Sequence, residues 1–428
     1  MQGEEQSVAE QVVCGHSFEV ARPADPWDPG TSSPPSHSLR KRLLYRCAWF
    51  VLRTIDRVVL RTRVRGIEQG DPAGPMLLLC NHVSVFDPFS VAIQFWRPCR
   101  FMAATSVCNV PVLGATLQAL GVFPKMKFVK DRQSMQILND HYEEGSVVAL
   151  FPEGVRTWTG EPMPVQPGIG RLIQRLDARV MFARLNTAYL LMPRWAKYPR
   201  FVPLEIDYEG PFQYSADATA EQIAQDVAQR LQVTPKRDRS RWAWGFRLAE
   251  GLPELLWACP HCFAQESLEV VGWRGRDVAC SACRAKWRLD IDHVLHPEQG
   301  GSTLTVPQAY GRIEDHFGSP AVLTPRRRFE GIVATAKHAR FRRLANQEVV
   351  AEGPLQVHTD HLLIGGHRVE LRKLLSVSVD VGSQVMLRCA SDTPRGDLHR
   401  LEVPGESALK WGTLVKAWRE RSAGSLGG

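Results

Sequence analysis

The sequence predicts an α/β domain built on a mixed, mostly parallel sheet with flanking helices, followed by a small cysteine-bearing module and a small β-rich domain. Three observations carry that reading. Two short apolar runs, Met76 to Cys80 and Val147 to Phe151, alternate with helical stretches in the manner of an α/β chain. Four cysteines stand as two close pairs, Cys259 with Cys262 and Cys280 with Cys283. Beyond about residue 305 the apolar pattern changes to period two, through Leu355 and Val357 and then Val377, Val379 and Val381.

A chain of 428 residues is too long for one ordinary core, which calls for several domains. With 44% hydrophobic and 23% charged residues it has a globular composition, and no apolar run approaches the roughly 20 residues that span a bilayer. A net charge of +8 and a pI near 9.0 favour an anionic partner, either a phospholipid surface or a nucleic acid. The start of the chain lacks a basic stretch followed by an apolar run and a cleavage site, which points to a cytoplasmic location. Ten cysteines, four of them in tight pairs, fit metal chemistry in a reducing compartment better than a disulfide framework.

Residues 1–37 are polar and proline-rich and read as a disordered tail. Residues 38–215 read as the α/β domain. Its first element runs as a helix from Ser38, a good N-cap, to about Leu60, with one apolar face and a stripe of Arg42, Arg46, Arg53 and Arg57 on another. Such a helix suits a membrane interface, arginines toward lipid phosphates and apolar face toward acyl chains or the protein core. Met76 to Cys80 and Val147 to Phe151 read as buried strands. Asp87, followed by Pro88, reads as the N-cap of a helix. Further helices are expected over Pro111 to Leu120, over Arg132 to Glu144 and from Arg171, with a closing strand from Arg200 to Tyr208. Residues 216–250 read as a helical linker with a helix over Glu221 to Leu231 and a basic segment, Lys236, Arg237, Arg239 and Arg241. Residues 251–300 hold the cysteine pairs. Residues 305–420 read as the β domain, with hairpin turns at Gly365-Gly366 and Gly382-Ser383 and a last helix over Glu406 to Arg419.

Each buried strand runs straight into a polar motif: Asn81-His82-Val83-Ser84-Val85-Phe86-Asp87 after the first and Phe151-Pro152-Glu153-Gly154-Val155-Arg156-Thr157 after the second. Ligands of open α/β sheets collect beyond the carboxyl ends of strands, so the two motifs can share one cleft. A histidine five residues before an aspartate carries little alone, and the two strings have to be read together. Together they resemble the glycerolipid acyltransferases (1-acylglycerol-3-phosphate and lysophospholipid acyltransferases), whose members carry an HxxxxD block followed downstream by an FPEG block. The resemblance covers about residues 60 to 215.

It implies transfer of a fatty acyl group from acyl-CoA or acyl carrier protein to a lysophospholipid acceptor, with His82 as the base and Asp87 orienting it. No enzyme nucleophile is required, because the thioester is already activated. No Gly-x-Ser-x-Gly elbow is present, which argues against a lipase. For the acceptor's phosphate the resemblance implies Glu153, Gly154 and Arg156. The arginine usual in the intervening block is absent, and Lys125, Lys127, Lys130 and Arg132 are the nearest cations. A further block, usually a Val-Pro pair, is replaced here by Val180-Met181-Phe182-Ala183-Arg184.

The cysteines form a C-x2-C-x17-C-x2-C pattern, the spacing of a zinc ribbon, and four thiolates predict a closed structural zinc site with His261 in the knuckle rather than on the metal. The C-terminal segment resembles, in pattern, a pleckstrin-homology-like module. Its Arg326, Arg327, Arg328, Lys337, Arg340, Arg342 and Arg343 suit anionic headgroups or a solvated surface. The expectation is thus a peripheral enzyme on the cytoplasmic face of a membrane, with the phospholipid surface as partner and nucleic acid disfavoured. Glycerol-3-phosphate acylation or transacylation remain alternatives within the enzyme class. A non-catalytic lipid- or partner-binding scaffold is the alternative of another class.

Overall fold

The computed structural model describes residues 39–67, 74–95, 99–104, 108, 122–125, 132–319, 331–380, 384–393 and 396–424. The expected tail, the helix over Pro111 to Leu120, the Gly382-Ser383 turn, Lys127, Lys130 and Arg326 to Arg328 lie outside those residues. The chain divides into a unit ending at Ala48 and a compact unit from Trp49 to Gly428. Of the first, only the start of helix α1 (Leu39–Val58) is described; all contacts below lie within the second.

The expected sheet is present and mixed. It contains β1 (Arg63–Arg65), β2 (Met76–Cys80), β3 (Cys99–Ala104), β4 (Val122–Lys125), β5 (Val147–Leu150), β6 (Val180–Leu185) and β8 (Glu205–Phe212), in the order β1-β8-β6-β2-β5-β3-β4. The five strands from β6 to β4 in that order are mutually parallel; β8 runs antiparallel to β6, and β1 parallel to β8. Successive residues of β2 feed opposite faces. Met76, Leu78 and Cys80 pack with Val147, Ala149 and Met181 on one side. Leu77 and Leu79 pack with Val148 and Phe182 on the other, under helices α3 (Arg132–Glu143), α4 (Gly168–Leu176) and α6 (Ala220–Arg230). A strand covered on both faces reads as an unbroken apolar run, which is why Met76 to Cys80 and Val147 to Leu150 were legible.

Three expectations require correction here. The helix after β2, α2 (Asp87–Ala92), has Phe86 at its N-cap with no side-chain cap, so Asp87 is its first residue rather than its cap. The strand expected over Arg200 to Tyr208 is two: β7 (Arg200–Phe201) pairs with β9 (Trp244–Gly245), and β8 begins only at Glu205. Pro203, without an N–H to donate, falls in the gap. The basic segment of the supposed linker is tied down, because Arg237 forks onto Asp292 at 2.6 and 3.3 Å and Arg241 reaches Glu205 at 3.5 Å. A short helix, α5 (Ala188–Leu191), follows β6.

After helix α7 (Leu252–Leu255), the cysteine module is a five-stranded antiparallel meander: β10 (Leu268–Val271), β11 (Asp277–Cys280), β12 (Lys286–Leu289), β13 (Val294–Pro297) and β14 (Leu304–Thr305). Helix α8 (Val306–Phe317) follows, where a purely β region was expected. Its start is a capping box, Thr305 and Gln308 bonding each other's backbone amides, with a proline in the first turn. The C-terminal sheet contains β15 (Ile332–Arg343), β16 (Val349–His358), β17 (His361–Ile364), β18 (His367–Glu370), β19 (Leu374–Asp380), β20 (Gln384–Cys389) and β21 (Asp397–Glu402). It is an antiparallel meander in which β21 returns to pair with β15 through Phe341 and Leu401. Gly365 and Gly366, at φ +53° and +89°, make the β17–β18 turn. Helix α9 (Ala408–Gly424) buries Trp411, Leu414, Val415 and Trp418.

Candidate active site at the carboxyl ends of β2 and β5

Strands β2 and β5 are hydrogen-bonded parallel neighbours, Leu77 opposite Val148 and Leu79 opposite Leu150. The loops that leave them are therefore side by side, and His82 and Glu153, 71 residues apart in sequence, meet: the His82 amide donates to Glu153 Oε1 at 3.2 Å. The Thr157 amide returns a bond to the His82 carbonyl at 3.1 Å, so the two loops are stitched in both directions.

Freed from capping its helix, the Asp87 carboxylate turns back over the preceding loop. Its Oδ2 accepts from the amides of Val83 at 2.7 Å and Ser84 at 2.8 Å and faces His82 Nδ1 at 2.9 Å. The Asp87 side chain is wholly buried and that of His82 about one-fifth exposed (21%). Phe151 lies stacked on the imidazole, ring centroids 4.2 Å apart, and fixes its plane. With Nδ1 turned to a carboxylate the proton sits there, and the lone pair of Nε2 faces away from Asp87. No protein group among the described residues takes Nε2. Among the described residues, Oδ1 of Asp87 and Oε2 of Glu153 are buried with no hydrogen-bond partner.

Burial pushes the Glu153 carboxyl up to about 8, against the bond from the His82 amide and with the Asp87 charge adding to the rise. A carboxyl so placed is protonated at neutral pH. Burial also lowers the Arg156 guanidinium from its ordinary value, while the Asp87 carboxylate works to raise it. Gly154 stands at φ +76°, a conformation that a side chain would strain. The loop is held from outside by Gln166, whose amide reaches the Pro152 carbonyl at 2.8 Å and whose side chain reaches the Glu153 carbonyl at 3.3 Å.

Of the other expected phosphate ligands, Lys125 closes β4 on the same edge of the sheet, two strands beyond β5. Arg132 is exposed at the start of α3. Neither has a hydrogen bond to His82, Glu153 or Arg156 among the described residues.

Sequence reasoning missed Arg194. Its guanidinium donates to the Arg156 carbonyl at 3.1 Å and to the Val379 carbonyl of β19 at 3.2 Å while lying 4.2 Å over the Trp158 ring. No local pattern announces a residue whose partners are 38 and 185 positions away. Equally unannounced is an apolar cavity of about 410 Å³ on the far side of Phe86, lined by Leu52, Ile55, Leu60, Phe89, Ile93 and Phe201 among others.

The four cysteines converge. Their sulfurs all lie within 4.8 Å of one another, with Cys259 to Cys283 at 3.8 Å and Cys262 to Cys280 at 3.7 Å. These separations are too long for disulfides and close to the edge of about 3.8 Å that a tetrahedron with metal–sulfur bonds of about 2.3 Å would have. The His261 amide points at Cys259 Sγ at 3.4 Å and its side chain is exposed, as a knuckle residue requires. The donor set can hold a metal ion.

A histidine backed by a buried carboxylate thus stands just beyond the carboxyl end of β2. The family model described as Acyltransferase matches residues 61–184. Among solved structures, the 1-acyl-sn-glycerophosphate acyltransferase from Thermotoga maritima is similar at 18% identity and a TM-score of 0.36, covering 45% of this chain and 83% of that one. No curated protein matches the chain.

Proposed function

We propose that the chain works at the cytoplasmic face of a membrane, moving a fatty acyl group from acyl-CoA or acyl carrier protein to the hydroxyl of a lysophospholipid such as 1-acylglycerol-3-phosphate. The observation that carries this reading is the His82–Asp87 pair: Nδ1 is held at 2.9 Å by a fully buried carboxylate, which leaves Nε2 as the basic atom. Nε2 takes the proton of the acceptor hydroxyl as its oxygen attacks the thioester carbonyl. Asp87 stabilises the imidazolium so formed. When the tetrahedral intermediate collapses, the carbon–sulfur bond breaks and the thiolate recovers the proton from Nε2, which restores the enzyme.

Arg156, half-buried beside this pair, offers the acceptor's phosphate a forked donor, with Gly154 letting the loop approach it closely. Lys125, Lys127, Lys130 and Arg132 would add cationic field from the neighbouring edge. The apolar cavity that Phe86 helps to line offers a seat for an acyl chain. Residues 38–215 form the catalytic domain in this reading. Zinc on Cys259, Cys262, Cys280 and Cys283 staples residues 251–300 and takes no part in the chemistry, since four thiolates leave no open position.

The test is transfer of labelled acyl chains from acyl-CoA and from acyl carrier protein to a panel of lysophospholipids and glycerol phosphate, beside His82→Ala. Transfer by the intact chain, falling by a factor of about 10²–10⁴ in the variant, is expected. Absence of transfer to every acceptor, by folded protein with membranes present, would overturn the reading in favour of a scaffold.

A further inference from the structure

Helix α1 is built inside-out over its last three turns. Two of its polar residues face the protein: Asp56, 1% exposed, accepts from Thr62 Oγ1 and Gln94 Nε2, and Arg53 donates to the Ile93 carbonyl at 3.0 Å. Its apolar residues Phe50, Val51, Ile55, Val58 and Val59 face outward. Leaving such a face in water forfeits roughly 25 cal/mol per Å².

The outward face does not end with the helix. Ile55 and Leu60 line the apolar cavity together with Phe201. Phe201 stacks on Trp244 at 4.6 Å, Trp244 packs on Trp242 at 6.2 Å, and Arg61 lies 5.4 Å over the Trp242 ring and donates to its carbonyl. Phe246 and Tyr198 extend the strip, 5.7 Å apart. Trp242 is 63% and Phe246 52% exposed, values that a monomer's packed aromatic residues do not reach. The strip sits on and beside the β7–β9 ribbon, beyond the segment that matches the acyltransferase model, with Trp242 181 residues from Arg61.

Cations edge this surface without acids to cancel them. Arg57 and Arg61 have no ion-pair partner among the described residues, in contrast to Arg237 and Arg241 just behind the ribbon, which are spent on Asp292 and Glu205. Exposed tryptophans with unpaired arginines at their margin are the composition of a lipid-headgroup layer contact.

From this we infer that the 242–246 aromatic ribbon is a second membrane anchor, which with the outward face of α1 seats the mouth of the apolar cavity on an anionic bilayer. The inference rests on the proposed work at a membrane surface but concerns a different part of the chain. Two anchors on opposite sides of the cavity fix its orientation to the bilayer, which one helix, free to roll, cannot do.

The test uses the full chain and vesicles of phosphatidylcholine alone or mixed with phosphatidylglycerol. The double variant Trp242→Ser, Trp244→Ser is expected to bind mixed vesicles about tenfold more weakly, with transfer to detergent-dispersed acceptor unchanged. Arg61→Gln is expected to lose about fivefold on mixed vesicles, the value of one cation near an anionic surface, and nothing on phosphatidylcholine. In the unaltered chain, vesicles should slow hydrogen exchange across 240–247, a readout that does not depend on any variant folding. Unchanged vesicle binding by the double variant, or unprotected 240–247, overturns the anchor whether or not acyl transfer is found. Vesicle binding that needs the ribbon in a chain that transfers nothing would leave the anchor standing and sink the enzymatic reading. If the double variant instead turns a dimer into a monomer and binds vesicles as before, the ribbon covers a second copy of this chain and the lipid assignment is overturned.

Discussion

Asp87 and Glu153, in the cleft, each keep one carboxylate oxygen buried with no hydrogen-bond partner among the described residues. In the C-terminal sheet, Arg340, Arg368 and Arg372 each meet an acid at the surface, Glu352 at 2.8 Å, Asp360 at 2.9 Å and Glu370 at 2.8 Å. An unpartnered buried oxygen costs about 1–3 kcal/mol, whereas an exposed pair contributes about 0–1 kcal/mol. Stability therefore explains neither. The cleft retains groups that cost folding energy, as does the sheet, where Arg342, Arg343 and Arg400 each bury an Nε without a hydrogen-bond partner among the described residues. The sheet sets its cations against its own acids, which for Arg340, Arg342 and Arg343 favours the solvated surface over the headgroup contact: Arg342 faces Glu402 at 3.8 Å, and Arg343 faces Glu348 at 3.4 Å and Asp397 at 3.9 Å. What separates the two regions is the kind of atom left over, carboxylate oxygens in the cleft and guanidinium nitrogens in the sheet.

The comparison would break most widely at the four cysteines, which lie downstream yet leave four thiols facing one another. A bound zinc would complete them, so the purified chain should carry about one zinc. Cys259→Ser or strong chelation should destabilise the ribbon by several kcal/mol, because structural zinc supplies folding free energy directly. Metal analysis and thermal melting check this. A metal-free chain whose melting is indifferent to Cys259→Ser would make these sulfurs ordinary buried thiols.

A smaller effect sharpens the contrast through pH. Glu153 has its carboxyl raised to about 8 by burial, so between about pH 4.5 and 8 the unfolded chain releases a proton that the folded chain keeps. Its contribution to stability should fall as pH rises through that window. Glu370 has the opposite sign: the bond from Arg372 holds it below its ordinary value, so its contribution is present at neutral pH and is lost as acid titrates it. Buried His293, lowered by desolvation, contributes with the opposite sign in this window, so the readout is the difference from the unaltered chain: in denaturant melts Glu153→Gln should gain relative stability from pH 5 to pH 8, while Glu370→Gln should not. Equal slopes in both variants would mean that Glu153 is solvated and the cleft is no drier than the sheet.

The cleft was legible because each of its motifs is attached to a strand with a strong local signal. Met76 to Cys80 and Val147 to Leu150 are apolar throughout, and parallel pairing then places His82 and Glu153 together without further information. Strand β6 was not read as one, since a run compared with an expected Val-Pro block drew attention away from its burial on both faces. Asp87 carries two readings in the sequence, a helix cap and, through the resemblance, the partner of His82; the fold withdraws the first and places its carboxylate 2.9 Å from Nδ1 of His82. Helix α8 had its capping box in plain sequence, Thr305 to Gln308, and was hidden by the period-two pattern after it. The outward-facing apolar side of α1 and the Trp242–Trp244 ribbon depend on which face meets the protein, and periodicity locates a face without saying what covers it.

Arg194 joins the two regions being compared, so it tests whether they are separate at all. Its fork holds the Arg156 carbonyl and the Val379 carbonyl at once, which makes the C-terminal sheet a support for the loop that carries Arg156. Arg194→Ala removes both bonds and the cover over Trp158, leaving the His82–Asp87 pair untouched. The expected outcome is a loss of about tenfold in kcat/KM, or about 1.4 kcal/mol, carried mostly by KM for a phosphorylated acceptor. Lysine at this position should restore little, because a single ammonium cannot present the planar fork that spans two carbonyls. Full rescue by Arg194→Lys would reduce the contact to a charge over Trp158, and a fall confined to kcat would mean that the loop positions His82 rather than the acceptor. A shift in KM alone would instead give the C-terminal sheet a part in acceptor recognition without contributing a single atom to the cleft.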